Sequence, residues 1–298
     1  MGDLQIGELA AVATALLWTL SALIWTFSGR HIGALAVSFL RLPITCVYVL
    51  AYVRIFRGQW LPSDADGRTW LILGVSGFFG FFLADACLFK ALILIGPRLT
   101  LLVQALTAPL TSLIAWACLG DRLTGQQWLA MAITVAGVVW VVLERRGGNS
   151  PQDRRQLSQG LILALIAAVA QAVGFVLSKQ GIGECDAVDA TFIRVLGALV
   201  GYVVLISLTR RWPAMWAAVQ KGRVMAVILF GAFVGPFLGV ALCMEAVRRC
   251  PAGVATTIVG TTPVLILPFV ILIYHEKVTL RAVGGALLSV IGVALLLI

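Results

Sequence analysis

Charge is scarce in this sequence. Asp, Glu, Lys and Arg make up 12% of its 298 residues, about half the share in a soluble domain. Hydrophobic residues make up 61%, against roughly 45–50% in soluble chains. That excess does not fit inside a water-soluble core, so most of the chain must face lipid or other lipid-facing helices. Histidine occurs only twice, and no H-E-x-x-H or other cluster of His, Ser and carboxylates at one depth supports a membrane-embedded enzyme. None of the six cysteines stands in a C-x-x-C or Cys/His spacing, which argues against a zinc site or a disulfide framework. No G-x-x-x-x-G-K-S/T stretch occurs, which argues against a pump carrying its own ATP motor. A basic leader is also missing; the chain opens with Asp3 and Glu8. The first apolar run is therefore expected to stay as a helix. No metal and no cofactor is expected.

What is present is a series of long apolar runs and a net charge of +9. Such a charge on a polar protein would point to nucleic acid. Here 20 of the 22 Lys and Arg lie in short connectors or at helix ends, where basic residues meet lipid headgroups, so no nucleic-acid partner is expected. About 20 apolar residues cross the hydrocarbon core. Runs of that length, punctuated by charge, Gly and Pro, predict ten spans near 7–27, 33–53, 70–92, 97–119, 126–143, 159–178, 188–208, 223–244, 251–274 and 279–298. The polar connector 209–222 carries Trp212 and Trp216 among basic residues, the pattern of a short segment lying at the membrane surface.

The chain is duplicated. A shift of 153 places Gly7 on Gly160 and Ser38-Phe39-Leu40-Arg41 on Thr191-Phe192-Ile193-Arg194. One residue further on, Pro97 falls on Pro251, Thr107 on Thr261 and Pro109 on Pro263. Another residue on, Asp121-Arg122-Leu123-Thr124 meets Glu276-Lys277-Val278-Thr279, and Gly137 meets Gly292. Ser76, Gly80 and Ala84 of the third span likewise match Gly231, Gly235 and Gly239 of the eighth. The expected division is a first five-helix repeat over 1–148, a polar linker over 149–158 and a second repeat over 159–298. Five spans per copy is an odd number, so the second copy enters the membrane from the opposite side. The fold class is thus an all-α polytopic membrane protein, ten transmembrane helices in two inverted five-helix repeats. Inversion lets one backbone open to either side and favours a site between the copies. The small-residue ladders in spans three and eight suit close helix packing.

This order of motifs resembles the drug/metabolite transporter superfamily, specifically its ten-helix EamA-type members. The likeness rests on the five-plus-five duplication and on the acidic residues closing spans four and nine, Asp121 and Glu276. Gly137, Gly292, Pro109 and Pro263 add to it, while Asp121 stands where Glu is usual. The resemblance implies secondary transport or export of a small metabolite through a cavity between helices one to four and six to nine, with helices five and ten peripheral. It implies an integral protein of a bacterial inner (plasma) membrane. The partners are then the lipid bilayer and a small-molecule substrate; a proton or ion gradient is the candidate driving force, and monomer and homodimer are both open.

Polar groups inside spans are costly and need a partner or a cavity. Arg41 lies about 12 Å below its starting face, and Asp85 sits at nearly the same depth on the next, antiparallel span, so the two are expected to form an ion pair. Arg194 is the repeat partner of Arg41, but positions 238–240, which correspond to Asp85, hold no carboxylate. Arg194 is either scaffolding or free to meet an anionic substrate group; Glu245 reaches it only if packing allows. Asp85 is either a proton-coupling carboxylate or a fixed counter-ion of Arg41 or Lys90. Trp18 and Gln171 occupy equivalent midspan positions, and Gln104, Thr107, Thr257 and Thr261 add hydrogen-bonding groups, so all are candidate cavity residues, although Thr often bonds back to its own helix. Pro109, Pro263 and Pro268 are expected to flex their helices.

Connectors after odd spans carry thirteen Lys and Arg, those after even spans seven. The charge bias alone places the termini outside the cytoplasm, whereas the resemblance implies cytoplasmic termini. The leading function is a secondary transporter of a small organic solute, an amino acid or a related anionic or zwitterionic metabolite. A lipid or lipid-linked-carrier flippase and a non-transporting membrane partner subunit are the alternatives.

Overall fold

The computed structural model describes residues 3–58, 65–119, 123–144, 151–183, 185–249, 258–274 and 279–295. Among them the secondary structure is helical. In lipid a backbone must satisfy its own hydrogen bonds, and long apolar runs do so as helices. The helices are α1 (Asp3–Ile32), α2 (Ala34–Arg57), α3 (Gly67–Gly77), α4 (Ala84–Gln104), α5 (Thr107–Leu119) and α6 (Gly125–Glu144). After them come α7 (Pro151–Ile182), α8 (Ala187–Leu208), α9 (Trp212–Val219), α10 (Gly222–Ala232), α11 (Val240–Arg249), α12 (Thr262–Tyr274) and α13 (Leu280–Leu295). π-Helical stretches at Phe78–Leu83 and Phe233–Gly239 join α3 to α4 and α10 to α11.

Seven helical stretches are long and apolar enough to cross a membrane, and three shorter apolar helices complete the set. The stretch from α3 to α4 turns within itself at Gly96, whose φ of 79° and ψ of 166° suit a residue without a β-carbon. Pro97 then starts the return, where its missing N–H is no loss. Asp66 caps α3 by accepting from the Thr69 backbone N–H at 2.8 Å. Thr124 and Gln127 exchange hydrogen bonds at the start of α6 in a capping box.

Spans four and nine are not continuous helices. The fourth breaks at Ala105–Leu106 between α4 and α5, and the ninth turns at Thr261 before α12. These breaks are repeat equivalents, and they alter the reading of two prolines. Pro109 and Pro263 stand in the first turn of the helix that restarts after each break, so they begin helices and do not bend them. Pro268 alone of the three lies inside a helix. The polar segment after 150 is also helical: α7 begins at Pro151 and runs 32 residues, about 48 Å. Asp121, Glu276 and Thr257 lie outside the described residues.

The inverted repeat is visible in the packing. The third span lies against α7 and α8 of the second repeat, and its equivalent, the eighth, lies against α1 and α2 of the first. Close approach holds the first of these seams: a β-carbon on Gly77 would sit 1.8 Å from the carbonyl oxygen of Arg194. Ser76 adds a hydroxyl bond to the Gly174 carbonyl at 2.7 Å. α6 and α13, the fifth and tenth spans, pack mainly on each other.

Candidate functional site

Between the two repeats lies a cavity of about 640 Å³, within the size range of small-molecule sites. Its inner end is formed by Trp25, Arg41 and Phe89. Its outer end is formed by Ala115, Leu123 and Lys179, at or near the ends of α5, α6 and α7. Those ends share one face with the start of α1 and the end of α13, so the cavity extends toward the face that carries both termini. Gln127 and Val293 also reach its wall, so the fifth and tenth spans contribute to the outer end although their main contact is mutual.

Arg41 and Asp85 meet at the inner end as an ion pair, with Arg41 Nη2 donating to Asp85 Oδ2. Both residues are buried. The guanidinium also lies over three aromatic rings, Phe89 at 5.0 Å, Phe81 at 5.7 Å and Trp25 at 5.8 Å. A cation held between ring faces and a carboxylate is stabilised away from water by charge and quadrupole together. Lys90 is exposed, so Arg41 is the cation at Asp85.

Arg194 is 2% exposed and lies 4.8 Å over the Phe81 ring. One phenylalanine therefore touches both repeat-related guanidinium groups. Among the described residues Arg194 has no side-chain hydrogen bond or ion pair, and its Nε is buried without a partner. Glu245 does not neutralise it: that carboxylate accepts from Arg249 Nε at 2.5 Å. Arg194 is not itself on the cavity wall, but Phe81 is.

Trp18, Gln104, Thr107 and Gln171 all line the cavity together with Arg41 and Asp85. The Thr107 hydroxyl faces Gln104 Oε1 at 3.5 Å. Thr261 is off the wall, its hydroxyl donating to the Ile258 carbonyl at 2.7 Å; the neighbouring Thr262 and Pro263 take the wall positions. Pro109 and Pro268 do not line it. Phe81, Trp25, Cys243 and Lys179 are wall residues that sequence reasoning passed over. The signal for Phe81 was available, since its repeat partner Pro236 also lines the cavity and the pair breaks the symmetry as Trp18 and Gln171 do.

A second cluster holds the repeats together near the face of the termini. Arg57 at the end of α2 donates from Nη1 to both oxygens of Asp189, at 2.9 and 3.0 Å. Its Nη2 meets Asp186 at 2.6 Å. Asp186 also caps α8 by accepting from the Val188 N–H at 2.8 Å.

The family model described as the EamA-like transporter family matches residues 5–143 and 158–298. Twenty-eight chains of known structure match as well. One of them, described only as the crystal structure of a protein, has a TM-score of 0.62 at 22% identity, covering 97% of this chain and 95% of its own. That likeness shows a shared fold. No curated protein matches the chain.

Proposed function

The chain belongs to the EamA-like transporter family, and from that premise we propose that it is a secondary transporter moving a small organic solute by alternating access between its inverted repeats. The observation that carries this reading is the cavity itself: it lies between the copies, extends toward one face and ends at the Arg41–Asp85 pair. Inverted repeats provide two related states, and the solute exchanges sides when the seams on either side of the cavity trade places. π-Helical stretches often mark functional sites in helices; here they interrupt the third and eighth spans at equivalent positions beside the cavity.

Trp18 supplies a stacking face, and Gln104, Thr107 and Gln171 supply hydrogen bonds, to a solute in this cavity. Among the described residues the charged groups on its wall are Arg41, Asp85 and Lys179, a cationic balance that favours an anionic or zwitterionic solute such as an amino acid. Asp85 serves as the counter-ion of Arg41. A role for it in proton coupling requires the pair to open in part of the cycle.

The test is flux in proteoliposomes holding a panel of amino acids and small organic acids, with and without a pH gradient. Saturable, protein-dependent flux of at least one solute is expected. Absence of flux across the panel in both directions rejects the reading. pH-gradient-driven flux retained by Asp85→Asn rejects the coupling role alone.

A further inference from the structure

We propose that Arg194 is the binding group for a solute carboxylate, and that this carboxylate occupies the place where the second repeat lacks its own counterpart of Asp85. The proposal deepens the reading of the cavity as a solute site and rests on it.

The two copies supply the argument. In the first, Arg41 of the second span is neutralised by Asp85 of the third. In the second copy the equivalent arginine is Arg194 of the seventh span. The offset between the third and eighth spans is 155 at the starts of the π-helical stretches and 156 at their ends, so Asp85 corresponds to Val240 or its neighbour Ala241, and neither is a carboxylate. Val240 lines the cavity. The cavity wall that carries a carboxylate in one half therefore carries an apolar side chain in the other.

A buried guanidinium without an anion is expensive, because burial strips it of its water and supplies no opposite charge in return. Arg194 meets part of that cost through the ring of Phe81 at 4.8 Å. A ring face offers no hydrogen-bond acceptor along the N–H directions; Arg41 and Arg194 both have an unpartnered Nε, but only Arg41 also donates to a carboxylate, Asp85. Gly80 leaves the room it needs, since a β-carbon there would sit 2.9 Å from Nη2. Phe81, the ring under this cation, is on the cavity wall, as are Val240 and Cys243. A carboxylate entering beside Val240 would complete a second ion pair matching Arg41–Asp85. The planar guanidinium suits a carboxylate in particular, because it donates two parallel hydrogen bonds.

The decisive variant restores the missing symmetry. Val240→Asp places a carboxylate of similar volume at the cavity-wall position corresponding to Asp85, and Val240→Asn places its neutral isostere there. Thermal unfolding of the detergent-purified full chain should show Val240→Asp melting higher than Val240→Asn by about 3 °C or more, and adding Arg194→Gln should erase that difference. The ligand arm uses acetate, benzoate and phenylalanine against acetamide, benzamide and phenylalaninamide. At least one carboxylate should raise the melting temperature of the wild type while its amide does not, and both Val240→Asp and Arg194→Gln should abolish that shift. A Val240→Asp variant no more stable than Val240→Asn overturns the proposal. So does a carboxylate shift that survives Arg194→Gln, or the lack of a shift with all three carboxylates. Thermal shifts as expected without flux in proteoliposomes would leave the subsite standing and reject transport; flux together with any of the overturning results would do the reverse.

Discussion

Gly137 of α6 lies so close to Ser289 of α13 that a β-carbon on it would come within 2.5 Å of the Ser289 nitrogen. Gly292 meets the Thr134 nitrogen in the same way, at 2.4 Å. The repeat offset of 155 carries Thr134 onto Ser289 and Gly137 onto Gly292. The two contacts are thus one contact made twice, as across the two-fold axis of an isologous dimer. Gly137→Leu and Gly292→Leu should therefore destabilise the fold by similar amounts, each by about 1–3 kcal/mol or more, as overpacking does. Thermal unfolding in detergent measures this; tolerance of one with loss of the other would show that the seam is not symmetric.

Arg41 and Asp85 should behave as a coupled pair. Removing one partner leaves the other charge buried among Trp25, Phe81 and Phe89, at a cost of about 3–5 kcal/mol. Arg41→Met and Asp85→Leu are each expected to be strongly destabilising, and the double variant less so than the sum. Chemical denaturation of the three variants gives the coupling, and additive losses would reject it.

How far these features were legible in the sequence depends on what each requires. The pair Arg41–Asp85 followed from depth alone, because consecutive antiparallel spans bring equal depths together. The inverted architecture followed from counting five spans per copy. The role of Phe81 did not: it is one of four phenylalanines in Phe78–Phe82, and the π-helical stretch shifts the helical phase that would have assigned its face. For Pro109 and Pro263 the sequence suggests flexing of a continuous helix because apolar composition runs unbroken across Ala105–Leu106 and Thr261, where the chain turns. Arg57, Asp186 and Asp189 belong to different repeats, so only the tertiary fold shows that they meet.

That second cluster makes its own prediction. Asp189 has a side chain 1% exposed and is held by both of its oxygens to one nitrogen of Arg57. Arg57→Gln removes the forked cation from this buried carboxylate, and should destabilise the protein by about 1–3 kcal/mol. Arg57→Lys should recover only part of this, since an ammonium group cannot reproduce the fork that also reaches Asp186. Full recovery in Arg57→Lys, read by thermal unfolding, would reduce the cluster to simple charge pairing.

The direction in which the cavity opens is testable without knowing the solute. Ala115 lies near the outer end of the cavity and Leu88 near its inner end. In a variant with the six native cysteines replaced, Ala115→Cys and Leu88→Cys should both react with a charged, membrane-impermeant thiol reagent added from the face that holds the termini. Reaction from the opposite face should be slower by roughly tenfold or more, because it needs the alternative state, and minor states of this kind are populated at about 0.1–10%. The Ala115→Cys site should be the faster of the two, as the reagent must pass it to reach Leu88→Cys. A solute that binds deep in the cavity should then protect Leu88→Cys from the same side, and protection of Ala115→Cys alone would place the binding position nearer the opening than the Arg41–Asp85 pair.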